Sequence, residues 1–102
     1  VGANPWDPEA RSLLSHLLLE TGLNEQNADL LREAEQQGQR AVDLDPMTPH
    51  HWHHLGRVRL ARRDPLGAFI ALQRATELYP IKIEYRDDRD RVRAALAREE
   101  ER

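Results

Sequence analysis

The chain has 102 residues, a formal net charge of -3, 39% hydrophobic and 32% charged residues, and no cysteine. That size predicts one compact domain burying about 65% of its unfolded surface, and the charge gives no general pull toward nucleic acid or anionic lipid. The missing cysteines exclude disulfides, thiolate nucleophiles and Cys-based zinc sites, and leave both cytoplasm and periplasm open.

The longest apolar run, Leu17-Leu18-Leu19, falls far short of the roughly 20 residues of a membrane span, and the start of the chain has no signal-peptide pattern. The visible chain reads as a soluble segment without membrane contact. Its first residue, Val1, suggests a piece of a longer protein.

The steps Asp7-Pro8, Thr48-Pro49 and Asp64-Pro65 predict helix starts, because proline suits the first helical position and Asp or Thr can cap free amides. Pro46 and Pro80 predict helix ends. The first helix is expected from Pro8 to Thr21, closed by Gly22, with Leu13, Leu14, Leu17 and Leu18 buried. The second is expected from Asn24 or Asn27 to Leu44, with Leu30, Leu31, Ala34, Ala41 and Leu44 toward the core. The third spans Pro49 to Arg62, with Met47 packing on Trp52 as a hydrophobic staple and Trp52 largely buried. The fourth spans Pro65 to Tyr79. From about Ile83 to Arg102 a thin stripe of Tyr85, Val92 and Leu96 among many charges predicts a solvated capping helix. No segment alternates at period two over strand length, so the predicted fold is all-α, with five helices in antiparallel succession.

Three identities recur at one interval: Ala34 to Ala68, Ala41 to Ala75 and Pro46 to Pro80 are each 34 residues apart. That period, with Trp52, Leu55, Gly56, Ala68, Leu72, Ala75 and Pro80 in order, resembles the tetratricopeptide repeat, a helix-turn-helix unit. Arg59 departs from the pattern where an aromatic is usual. The first copy matches at Leu14, Leu18, Gly22, Ala34, Ala41 and Pro46, and departs at Arg11 and Ser15. Pro8 and Pro49 are 41 apart, so this copy carries seven extra residues between Gly22 and Ala34, about two turns of helix, which can lengthen the second helix. The resemblance implies a helical repeat, or α-solenoid, in a single domain over 1-102. Repeat one covers about 8-47, repeat two about 49-82 and the cap about 83-102. Because three or more repeats usually give stability, two repeats with a cap suggest a homo-oligomer or support from a parent chain.

In that family the first helices of successive repeats line a concave groove for a peptide or partner protein, which makes this chain a protein-interaction scaffold, with no enzyme activity and no cofactor expected. The resemblance places Glu9, Ser12, Leu13, His16, Leu19 and Glu20 of the first repeat in the groove, and His50, His53, His54, Arg57, Leu60 and Ala61 of the second. The capping helix adds Asp87, Asp88 and Arg91. The family's clamp of lysines and asparagines for a C-terminal carboxylate is not matched, because Ser12, His16 and His54 stand in its place. The alternative is that these residues only solvate a helix face. The cluster of histidines with Arg57 suggests an acidic peptide held more tightly as pH falls from about 8 to about 6.

Four histidines, His50, His51, His53 and His54, surround Trp52. His50 and His54, four apart, and His16 from the neighbouring helix are the metal candidates. With no carboxylate or cysteine close by in sequence, the cluster reads first as exposed first-turn histidines. No spacing among Ser12, Ser15 and the histidines pairs a nucleophile with an oriented base. Nucleic-acid binding through Arg57, Arg59, Arg62 and Arg63 is opposed by interleaved acids and the lack of an aromatic platform. The steps Asn4-Pro5-Trp6-Asp7-Pro8 and Leu78-Tyr79-Pro80 are similar to those of tetratricopeptide tails that follow bacterial membrane-embedded O-antigen ligase or polymerase domains, which would set the module outside the inner membrane.

Overall fold

A computed structural model describes residues 6–101; Asn4-Pro5 of the opening step and Arg102 lie outside them. Among the described residues the chain forms five α-helices and no strand: α1 (Pro8–Asn24), α2 (Ala28–Leu44), α3 (Pro49–Ala61), α4 (Pro65–Leu78) and α5 (Ile83–Glu100). No helix is long and apolar enough to cross a membrane. Asp7, Asn27 and Asp64 accept hydrogen bonds from the first free amides of α1, α2 and α4, which replaces the partners a helix start lacks. Thr48 precedes α3 without a side-chain cap bond, and its hydroxyl instead donates to the Asp45 carboxylate.

Gly22 does not end α1. The helix runs on to Asn24 and stops where Gln26 turns left-handed at φ 52°. Gly22 is an interior contact point, where a Cβ would lie 2.8 Å from Leu31 Cδ2.

Successive helices are antiparallel, as their contacts show. Ser15 reaches Ala34 and Arg11 reaches Gln37 between α1 and α2. Arg62 meets Glu35 and Arg59 meets Gln39 between α3 and α2. Arg59 also bonds the Gly67 carbonyl across α3 and α4, and Arg89 bonds Gln73 across α5 and α4. The shortest principal extent, 18 Å, fits two layers of helices about 10 Å in diameter.

The two helix pairs share their connections. In the first loop Glu25, Gln26 and Asn27 amides bond the carbonyls of Thr21, Leu23 and Gly22, and in the third loop Arg62, Arg63 and Asp64 bond those of Val58, Leu60 and Arg59, with Arg63 left-handed at φ 62°. Asp45 and Tyr79, 34 residues apart, close α2 and α4 with near-identical backbone angles and bond Ala41 and Ala75. The extra residues of the first pair are divided between its arms: α1 has 17 against 13 in α3, and α2 has 17 against 14 in α4.

The buried side of α1 is Ser12, Ser15, Leu19 and Gly22, while Leu13, Leu14 and Leu17 face outward. The expected leucine core is therefore rotated, because α1 approaches α2 closely through small residues, and of the expected row Leu18 is the one that joins Leu19, Leu31, Ala34 and Val58. Ala34 and Ala41 are buried as expected, whereas Leu44 is exposed. Trp52 is half-buried against Val42, Leu55 and Ala71. No staple closes on it, since Met47 is 65% exposed and Trp52 Nε1 instead donates to the Pro46 carbonyl at 2.8 Å. On α5, Val92 is buried with Ala68 and Leu72, with Leu96 and Phe69 at the margin.

Candidate functional site

α1 and α3 lie side by side and run the same way, because Glu9 meets His50, His16 meets His54 and Glu20 meets Arg57 in ascending order on both helices. Glu9, Ser12, Leu13, His16, His50 and His54 line a cavity of about 270 Å³ between them. The sequence expectation put all six on one face, and the structure brings them together.

Three buried polar atoms here lack a hydrogen-bond partner: Ser12 Oγ, His16 Nδ1 and His54 Nδ1. The His16 and His54 rings stand 5.5 Å apart. Burial, with His16 as the next cause, lowers the His54 pKa to about 4, so this imidazole is neutral near pH 7.

Most of the expected positive charge is already engaged. His50 Nε2 lies 2.9 Å from Glu9 Oε1, His53 Nε2 lies 2.7 Å from Asp88 Oδ2, and Arg57 lies 3.6 Å from Glu20. Arg59 and Arg62 both face Glu35. With His54 neutral and Arg57, Arg59 and Arg62 each facing an acid, the face is polar rather than strongly basic, which gives the expected preference for acidic peptides no added support. Arg91 is mostly exposed and reaches Asp88 at 3.5 Å, away from the cavity lining. Leu60 stands exposed near the other end of α3.

His51 was the residue that sequence reasoning missed. Its side chain is fully buried, not an exposed first-turn group. The available signal was the spacing of His51, Leu55 and Val58, a four-then-three stripe, and all three are buried. Both its ring nitrogens lack a hydrogen-bond partner. The expected metal set also changes: the His54 ring stands 5.5 Å from that of His16 and 6.1 Å from that of His50, whereas the converging group among the described residues is Glu9, His50 and His51, with ligand atoms all within 4.8 Å. Glu9 comes from α1, 41 positions before His50, so nearness in sequence could not reveal the carboxylate.

Protein-family models give no match to this chain, and comparison with curated proteins finds none either.

Proposed function

We propose that this chain is a protein-interaction module of the tetratricopeptide type that holds a peptide segment against the α1–α3 face. The observation that carries the proposal is the cavity lined by Glu9, Ser12, Leu13, His16, His50 and His54, three of which, Ser12, His16 and His54, keep a buried polar atom without a partner. A buried donor or acceptor left unpaired costs about 1–3 kcal/mol. Rotation of these side chains toward a peptide amide, carbonyl or short polar side chain would remove that cost, while exposed Leu13 in the lining offers apolar contact. The family assignment is supported by the 34-residue interval and the matched connections of the two helix pairs. In this reading the module acts by binding, without catalysis.

The outward leucines on α1, Leu13 at 61% and Leu17 at 54% exposure, favour a second reading, in which the same face receives a second copy. Peptides selected from a displayed random library, followed by amide chemical-shift mapping, test the first reading. Shifts concentrated at Ser12, His16, His54 and Arg57, and lost in a Ser12→Ala/His54→Ala variant, are expected. Shifts confined to α2 and α4 would overturn it, and shifts on α1 that change with dilution of the protein alone would favour the second copy.

A further inference from the structure

Where α1 begins beside the start of α3, four groups able to hold a cation meet. Glu9 Oε1 lies 2.9 Å from His50 Nε2 and 3.6 Å from His51 Nε2. His51 Nε2 also lies 3.6 Å from Asp45 Oδ2, in the loop before α3. Neighbouring residues on a helix normally diverge, yet the His50 and His51 rings are only 4.4 Å apart. His51 is the second, independent indication: a fully buried imidazole with neither nitrogen hydrogen-bonded, and its Nε2 3.6 Å from each of two carboxylates.

We propose that Glu9, His50 and His51 form a divalent transition-metal site, with Zn(II) as the cation and Asp45 beside the remaining coordination position. Zinc bonds to nitrogen and oxygen of about 2.0–2.2 Å set tetrahedral ligand atoms about 3.3–3.6 Å apart. The two separations from Glu9, 2.9 and 3.6 Å, lie near that edge, and all three ligand atoms are within 4.8 Å of one another, so side-chain rotation without backbone movement would close the set. Two imidazoles with carboxylates suit zinc and its neighbours better than magnesium or calcium, which favour all-oxygen sites. Glu9 and Asp45 supply two negative charges against the ion's two positive ones. Thr48, by donating to the Asp45 carboxylate, fixes its direction, as an outer-shell partner does. On binding, each imidazole presents the Nε2 lone pair and keeps its proton on Nδ1.

The site does not depend on the peptide reading, and the probe is the metal alone. Calorimetric titration of the chain with zinc chloride is expected to give one ion per chain. Glu9→Gln and His50→Ala, both at exposed side chains, should each weaken binding by about tenfold or more with the helical circular dichroism unchanged. His53→Ala, across α3 beside Asp88, should leave it unchanged. His51→Gln should abolish saturable binding; if that variant loses its fold, Glu9→Gln and His50→Ala decide the matter. Absence of saturable zinc binding, equal binding of magnesium, no weakening in the two exposed variants, or equal weakening in His53→Ala would overturn the proposal.

Discussion

Ser15 donates its hydroxyl to the Ala34 carbonyl at 2.7 Å inside the α1–α2 contact. In the second helix pair Gly56 faces the Ala68 carbonyl, which a Cβ at Gly56 would approach at 3.4 Å. One pair thus answers close approach with a hydrogen bond, and the other with the absence of a side chain. Ser15→Ala should cost about 1 kcal/mol, the usual net value of one hydrogen bond, and Ser15→Leu several times more by overpacking. Urea unfolding curves read both, and equal losses would contradict the close contact.

A Cβ on Gly56 would lie 2.7 Å from Leu72 Cγ, and Leu72 is fully buried and cannot swing away. Gly56→Ala gains about 1 kcal/mol of helix propensity but incurs about 1–3 kcal/mol of overpacking. A net loss of stability is expected. Gly38→Ala meets its nearest neighbour, Ser15 Oγ, at 3.1 Å and should fall closer to neutral. The difference between the two melting temperatures tests the ranking.

Because Trp52 is half-buried, Trp52→Ala should cost about 2–3 kcal/mol, less than the roughly 3–5 of a fully buried tryptophan. Trp52→Phe should cost about 1 kcal/mol through loss of the bond to the Pro46 carbonyl. Chemical denaturation of both variants measures the split between packing and hydrogen bonding.

Acid should destabilise the fold through His54. Its folded pKa of about 4 lies below the ordinary histidine value of 6.5, so between those values the unfolded chain binds more protons and stability rises with pH, levelling off above about 6.5. Burial, followed by His50, lowers the pKa of His51 in the same direction. Since solvent reaches part of the His54 ring, its contribution is on the order of 1–2 kcal/mol between pH 7 and 4. His54→Gln should flatten the pH dependence of the melting temperature. An unchanged slope would show that His54 titrates as it does in the unfolded chain.

The helix starts were legible because they rest on local chemistry: proline at the first position of α1, α3 and α4, and capping oxygens on Asp7, Asn27 and Asp64. The buried side of α1 was not. Counting leucines assigns the core to the greasiest stripe, whereas close helix approach selects Ser12, Ser15 and Gly22 and turns Leu13 and Leu17 outward. The pairing of Glu9 with His50, and of Asp88 with His53, depended on which helices become neighbours. The resemblance placed His16 and His54 in one groove, but residue spacing could not show that acids from α1 and α5 would meet the other histidines.

The shared turns and unequal arms of the two helix pairs make the helical turn, not the single residue, the unit in which this chain can change length. Deleting one residue from α1 between Ser15 and Gly22 would rotate one part against the other by about 100°, carrying Ser15 away from Ala34 or Gly22 away from Leu31. Removing four residues from α1 and three from α2 would instead match both arms to α3 and α4. Viable shortened forms should therefore come from compensated deletions in both arms, rather than from trimming either helix alone.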